Sequence, residues 1–285
     1  MGSLLKLLTR LPLPHLYRVG WVLYVLAFHV VRWRRRVAAR NIANAFPEKS
    51  PAEHAAILRQ SYRNLVDVIM EAFWAYGASA DELTARVTIA NPELITGRTT
   101  ADQSVLLMTA HFCNWEWLLL AAGAELKVPI DAVYKPSRQK SVDTFLRNAR
   151  ARFGGNPVAY KDFVIEVMKR RTQTRAYAMV ADQTPILQDE KHWTHFLHQD
   201  TAFYIGADKI ARILKAPVLF VEMQRISRGR YVVHLSTIAE PPYRRGDDAT
   251  IVERYARSLE AAIRRSPPDW LWIHRKWKYG KPVYA

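Results

Sequence analysis

Cysteine is almost absent from this 285-residue chain: Cys113 stands alone. A single cysteine excludes an intramolecular disulfide and fits a reducing compartment. Acidic residues are scarce as well, 26 against 42 Lys and Arg, for a formal net charge of +16. That surplus points to an acidic partner: nucleic acid, anionic lipid or an acidic carrier protein. No dinucleotide fingerprint occurs, Gly154-Gly155 is no phosphate loop, and Asn156-Pro157 reads as a turn. His192, His195 and His198 recur every third residue, yet no acid or cysteine completes a metal set beside them. Internal repeats, low-complexity tracts and an inter-domain linker are also missing.

Long apolar runs are lacking too. The longest, Val19–Val31, has thirteen residues, short of the ~20 a bilayer span needs. Residues 1–50 carry nine basic side chains (Lys6, Arg10, Arg18, Arg32, Arg34, Arg35, Arg36, Arg40 and Lys49) against Glu48 alone. Half of the net charge therefore lies beside the most apolar part of the chain. A nucleic-acid binder tends to separate its basic stripe from its apolar runs, whereas a membrane-surface protein joins them. Trp21, Tyr24 and Trp33 flank the run as interfacial aromatics do. The expectation for 1–46 is a membrane-associated helical segment lying in or dipping into the inner leaflet. A tilted single span and an ordinary buried helix with a basic end are the alternatives. No small-x-small site follows the run, so no cleaved signal peptide is expected.

What is present, from residue 47 to 285, is the pattern of one α/β domain. Ser50, Pro51 and Glu53 form a capping box with proline at the first helical position. Leu58, Tyr62, Leu65, Ile69 and Phe73 follow at helical spacing. Strands are expected at 86–90, 105–110, 130–134, 176–181, 217–224 and 230–237. Helices are expected at 114–126, 138–151, 161–171, 205–215 and 248–265, with a long loop over 182–204. Such alternation argues a mostly parallel central sheet flanked by helices. The loop's Trp193, Phe196, Leu197, Phe203 and Tyr204 argue against disorder and suit either a site for an apolar ligand or a lid packed on the core.

The chemistry concentrates in His111-Phe112-Cys113-Asn114-Trp115-Glu116, between an apolar strand and an apolar helix. An imidazole with a carboxylate nearby is a general base with an orienting partner. Residues five apart on one helix lie roughly 140° apart, so His111 and Glu116 converge only if a turn folds the histidine over the helix start. The other role for Glu116 is helix-dipole compensation. Cys113 offers a rival nucleophile, but two residues from His111 it reads better as a small packing residue. Asp182 ends a strand, where open α/β sheets place ligands. The cluster Trp270, Trp272, His274, Arg275, Lys276, Trp277 and Lys278 suits either an interfacial patch or a strand with a packed tryptophan face.

The run His-x-x-Asn-Trp-Glu resembles the H-x4-[D/E] signature of the lysophospholipid acyltransferase superfamily, in its lipid A biosynthesis acyltransferase branch. Val133-Tyr134-Lys135-Pro136 looks like that family's Tyr-Arg-Pro block with lysine for arginine. Ala181-Asp182-Gln183 matches its Asp-Gln block, and Phe196 to Gly206 its acceptor-side loop. Pro217-Val218, ending in Arg225, Arg40-Asn41, Phe46-Pro47 and Trp272-x-His274-Arg275-x-Trp277 extend the resemblance over nearly the whole chain. Cys113 departs from it, glycine being more usual there.

The resemblance implies an acyltransferase at the cytoplasmic face of a bacterial inner membrane. Acyl carrier protein, or less so coenzyme A, would bring the acyl chain as co-substrate, with no cofactor and no metal. A hydroxyl of a lipid A precursor would accept it. Partners would be the carrier protein, anionic membrane lipids and the lipid acceptor, not nucleic acid. His111 would take the hydroxyl proton and Glu116 would orient the imidazole. Asn114, Lys135, Arg138, Asp182 and Arg225 would meet substrate, Asp182 ordering a hydroxyl or Lys135, and Lys135 or Arg138 meeting the oxyanion and phosphates. The same chemistry on an aminolipid, a phosphatidylinositol mannoside or a polyene lipid, a hydrolase, and a non-catalytic basic binder stand as alternatives.

Overall fold

The computed structural model describes residues 9–186, 189–244 and 249–280. Lys6 of the basic segment and Asp248, where the last helix was expected to open, lie outside the described residues. Helices α1 (Leu13–Val25) and α2 (Arg35–Ala45) are joined by a π-helical turn, Leu26–Val30. Among the described residues no helix is long and apolar enough to cross a membrane, so the tilted span is not formed there. Instead α1 and the turn that follows it are two-faced. Leu13, Leu16, Gly20 and Tyr24 are buried, while Trp21, Val22, Leu26, Val30, Val31 and Trp33 stay exposed. These helices share one hydrophobic core with the rest of the chain.

Helix α3 (Pro51–Ala75) opens on the expected capping box, Ser50 accepting from Glu53 N and Glu53 accepting from Ser50 N. The buried arc is wider than the five-residue stripe and rotated from it, for Ile69 is 41% exposed. Both flanks of α3 are occupied, and that widens the arc. On one side α1 comes so close that a Cβ at Gly20 would stand 3.0 Å from Met70 Cγ. On the other, Trp117 Nε1 donates to the Glu71 carbonyl at 2.7 Å.

After the short α4 (Ala80–Thr84) come β1 (Val87–Ile89), α5 (Glu93–Thr100), β2 (Val105–Thr109), α6 (Trp115–Leu126), β3 (Ile130–Tyr134) and α7 (Lys140–Arg150). Then follow β4 (Gly155–Ala159), α8 (Phe163–Arg170), β5 (Ala176–Val180), β6 (Lys191–Phe196), β7 (Gln199–Tyr204), α9 (Gly206–Leu214), β8 (Val218–Ser227), β9 (Arg230–Ala239) and α10 (Thr250–Arg265). The main sheet runs β1-β9-β8-β2-β5-β3-β4. Every neighbouring pair is parallel except β8 with β9. The mostly parallel α/β sheet flanked by helices is thus present.

Three expectations change. Asn156-Pro157 is no turn but the middle of β4, where Pro157 is tolerated because β4 is an edge strand. The expected loop at 182–204 holds the antiparallel pair β6–β7. Leu197 and His198 make its two-residue turn with φ of 48° and 61°, the conformation usually signalled by Asn-Gly. Phe196, Leu197 and Phe203 are buried in the core, so the hairpin is a packed cover. Residues 270–277 form no regular strand; Trp270 and Trp272 are buried, and Trp270 makes a single antiparallel bridge to Phe112.

Candidate active site

Strand β2 is buried at all five positions and ends at Thr109. Two residues on, His111 sits in the turn that leads into α6, and Asp182 lies just beyond β5, the parallel neighbour of β2. Parallel pairing of β2 with β5 brings the two residues to the same sheet edge. His111 Nδ1 lies 2.7 Å from Asp182 Oδ1. Gln183 Nε2 donates to His111 Nε2 at 3.2 Å. Against the Asp182 carboxylate Nδ1 carries a proton, and Nε2 meets the Gln183 amide at the edge of the cavity. Trp115 meets the imidazole edge-on, ring centroids 5.1 Å apart.

Asp182 is 3% exposed. Burial pushes its carboxyl up, but the charge and hydrogen bond of His111, the Trp270 indole N–H at 2.9 Å and the Lys276 charge outweigh burial and hold it at about 2. It is therefore a fixed anion behind the ring. The C-terminal segment secures this arrangement. Cys113 N donates to the Asp269 carbonyl at 2.9 Å, clasping the histidine turn to the turn that carries Trp270. Lys276 Nζ donates to the carbonyls of Ala202 at 3.0 Å and Gln183 at 3.4 Å. Thr184 N donates to His274 Nε2 at 3.3 Å, and burial depresses His274 to about 4.

A cavity of about 370 Å³ opens beside His111. Its floor is one face of the sheet, with Ile89, Leu235, Val221, Leu107, Ala178 and Ala132 supplied by β1, β9, β8, β2, β5 and β3. Six adjacent strands about 4.8 Å apart make a floor roughly 24 Å across. Leu118, Leu119, Ala122 and Leu126 of α6 form the roof. Polar groups gather at the mouth, where His111, Glu116, Lys135, Arg150 and Gln183 line it. The cavity is thus an apolar slot with an imidazole at its opening.

The expected site residues separate into those the fold gathers there and those it does not. His111, Glu116, Lys135 and Asp182 meet at this edge, but the pairing differs from the expectation. Asp182, and not Glu116, orients the imidazole. Glu116 instead accepts a bidentate pair from Arg150, Nε at 3.0 Å and Nη2 at 2.5 Å. The reason is directional: Glu116 is the second residue of α6, and its side chain leaves the helix toward α7, away from Nδ1. Asn114 is not at the slot. It is fully buried, caps α6 by accepting from Trp117 N at 2.9 Å, and donates to Glu71 at 2.7 Å. Arg225 is likewise removed, its Nε donating to Asp269 at 3.0 Å and its guanidinium lying 5.0 Å from the Tyr231 ring centre. Arg138 is exposed before α7 and does not line the slot, whereas the exposed Lys135 does.

Cys113 is buried away from the slot, where burial and then the Asp269 charge push its thiol well above the usual range. A protonated thiol is no nucleophile. Its φ of 51° is in the left-handed region, which accounts for the glycine expected at that position. Arg150 had no motif to mark it, and Trp270 and Lys276 were legible only as part of a basic aromatic cluster.

An imidazole held by a buried carboxylate at the mouth of an apolar slot is the arrangement that general-base acyl transfer requires. The chain belongs to the bacterial lipid A biosynthesis acyltransferase family, whose model matches residues 2–279. It is an acyltransferase. The lipid A biosynthesis lauroyltransferase of Escherichia coli (strain K12) is 24% identical over 281 residues, covering 97% of this chain and 89% of the relative. The palmitoleoyltransferase of the same organism and the lipid A biosynthesis acyltransferase of Shigella flexneri are each 21% identical over 279 residues, with the same coverage.

Proposed function

We propose that this acyltransferase carries a fatty acyl chain from acyl carrier protein, with coenzyme A as the lesser donor, to a hydroxyl of a lipid A precursor at the cytoplasmic face of the inner membrane. The observation that carries the proposal is His111, its Nδ1 held by the buried Asp182 and its ring at the mouth of a 370 Å³ apolar slot. The acyl chain fills the slot and leaves its thioester carbonyl at the mouth. Nε2 takes the proton of the acceptor hydroxyl as that oxygen attacks the carbonyl carbon. Asp182 stabilises the imidazolium so formed. Collapse of the tetrahedral intermediate expels the thiolate, which regains the proton from Nε2. Lys135 has no hydrogen-bond or ion-pair partner among the described residues and is free to meet the oxyanion or an acceptor phosphate.

The lipid A acceptor is supported by the family and by the named activities of the relatives. The membrane site is supported by the exposed face of Trp21, Val22, Leu26, Val30, Val31 and Trp33, set among exposed Arg18, Arg32, Arg34 and Arg36. The test is purified protein with acyl carrier protein thioester, and separately acyl-CoA, plus a lipid A precursor, read by product mass with His111→Ala as control. A product heavier by one acyl group in the wild type alone is expected. Unchanged acceptor with both donors would sink the proposal.

A further inference from the structure

Acyl transfer onto a hydroxyacyl lipid brings two hydrocarbon chains to one nitrogen, and the slot lies on only one face of the sheet. The other face carries a second apolar cleft of about 210 Å³, lined by Phe163, Val164, Met179, Tyr204 and Ile210 among others. The division follows from strand geometry, since successive residues of a strand face opposite sides. In β5, Ala178 lines the slot and Met179 the cleft; in β3, Ala132 lines the slot while Val133 reaches the cleft. The two spaces meet at the carboxyl ends of β3 and β5, where Val133, Tyr160, Val180 and Gln183 line both. Gln183 is the residue whose amide touches His111 Nε2 at 3.2 Å, so the cleft begins one side chain away from the reacting atom.

The cleft also has an apolar rim. Val164 and Tyr204, both of which line it, are 47% and 40% exposed. At ~30 Å³ for a water-sized group, its volume of about 210 Å³ takes about seven such groups, the size of a short chain segment.

We infer that this cleft binds the hydrocarbon tail of the acceptor, the acyl chain that bears the reacting hydroxyl, while the slot on the opposite face holds the donor chain. The inference rests on the function proposed above and adds a chain-length filter on the acceptor side. A hydroxyl a few carbons along an acyl chain reaches Nε2 only when the remaining carbons have somewhere apolar to go. A cleft that opens at Gln183 supplies that space without crossing the donor chain.

The test compares two acceptors with one headgroup under a fixed donor, one carrying long and the other four-carbon hydroxyacyl chains, and then varies donor chain length with the acceptor fixed. Val164→Trp narrows the cleft from its exposed rim, and Val164→Glu places a charge there. Ala122→Phe narrows the donor slot instead. The expected result is that both Val164 variants cut the long-to-short ratio of kcat/KM by tenfold or more. Ala122→Phe is expected to shift the preferred donor length and leave that ratio in place. Val164 variants that keep the ratio, or that shift donor preference instead, overturn the inference. A wild type that transfers to neither acceptor overturns the underlying function itself, a different result from an unmoved ratio.

Discussion

His111 Nδ1 stands 2.7 Å from Asp182 Oδ1 across 71 residues of sequence, and the carboxylate that the local motif offers, Glu116, is bound to Arg150 instead. The imidazole is oriented by the strand next to its own, while the motif carboxylate organises the mouth of the slot. Two carboxylates near one histidine therefore have separate duties, set by which neighbour each reaches.

Asp182→Asn keeps the shape but removes the anion behind the ring and permits the wrong tautomer. Acyl transfer is expected to fall by about 10²–10⁴-fold, and His111→Ala to match it. Because the two act as one unit, the double variant should lose little more than either single. Single-turnover rates with a radiolabelled acyl donor would read this; additive losses would show that the residues act independently.

The Glu116–Arg150 pair is largely buried, with side-chain exposures of 14% and 20%. Removing one partner leaves a desolvated charge, so Glu116→Gln or Arg150→Met alone is expected to cost about 1–3 kcal/mol of stability. The double substitution should recover part of that, with a coupling of about 1 kcal/mol or more. Urea unfolding of the four proteins measures it, and a coupling near zero would contradict the pairing.

Lys276 gives a pH signature. Burial lowers its ammonium to about 7 from an ordinary 10.5, with Asp182 opposing. Between those values the unfolded chain holds a proton that the folded chain has released. Stability from this group therefore rises with pH through that window, by at most ~1.4 kcal/mol per pH unit, and is lost as pH falls through 7. Lys276→Met should remove that rise. Denaturation midpoints of both proteins from pH 6.5 to 9.5 provide the comparison, parallel curves being the adverse result.

Cys113 separates backbone demand from chemistry. At a φ of 51°, Cys113→Gly relieves the backbone, and transfer activity should stay within a few-fold of wild type. Cys113→Val places a β-branched residue where φ is positive and should cost about 1–3 kcal/mol. Loss of transfer in a folded Cys113→Gly protein would revive the thiol as a nucleophile.

Much of this protein is written in its local sequence. The alternation of β2, α6, β3 and β5, the capping box at Ser50 and the positions of His111 and Asp182 at strand ends follow from periodicity and punctuation, which are local properties of the chain. Strand β4 and the β6–β7 hairpin were hidden because Pro157 and Leu197-His198 are poor local signals, tolerated only at an edge or under packing. Which carboxylate serves the imidazole was not local at all. Parallel pairing of β2 with β5 carried Asp182 to Nδ1, the clasp between Cys113 and Asp269 delivered the Trp270 indole to it, and α7 drew Glu116 away. The residue types and their order placed His111 and Asp182 at strand ends; only three-dimensional adjacency, set by strand order and the return of the C-terminus, joined them and opened an apolar slot beside them.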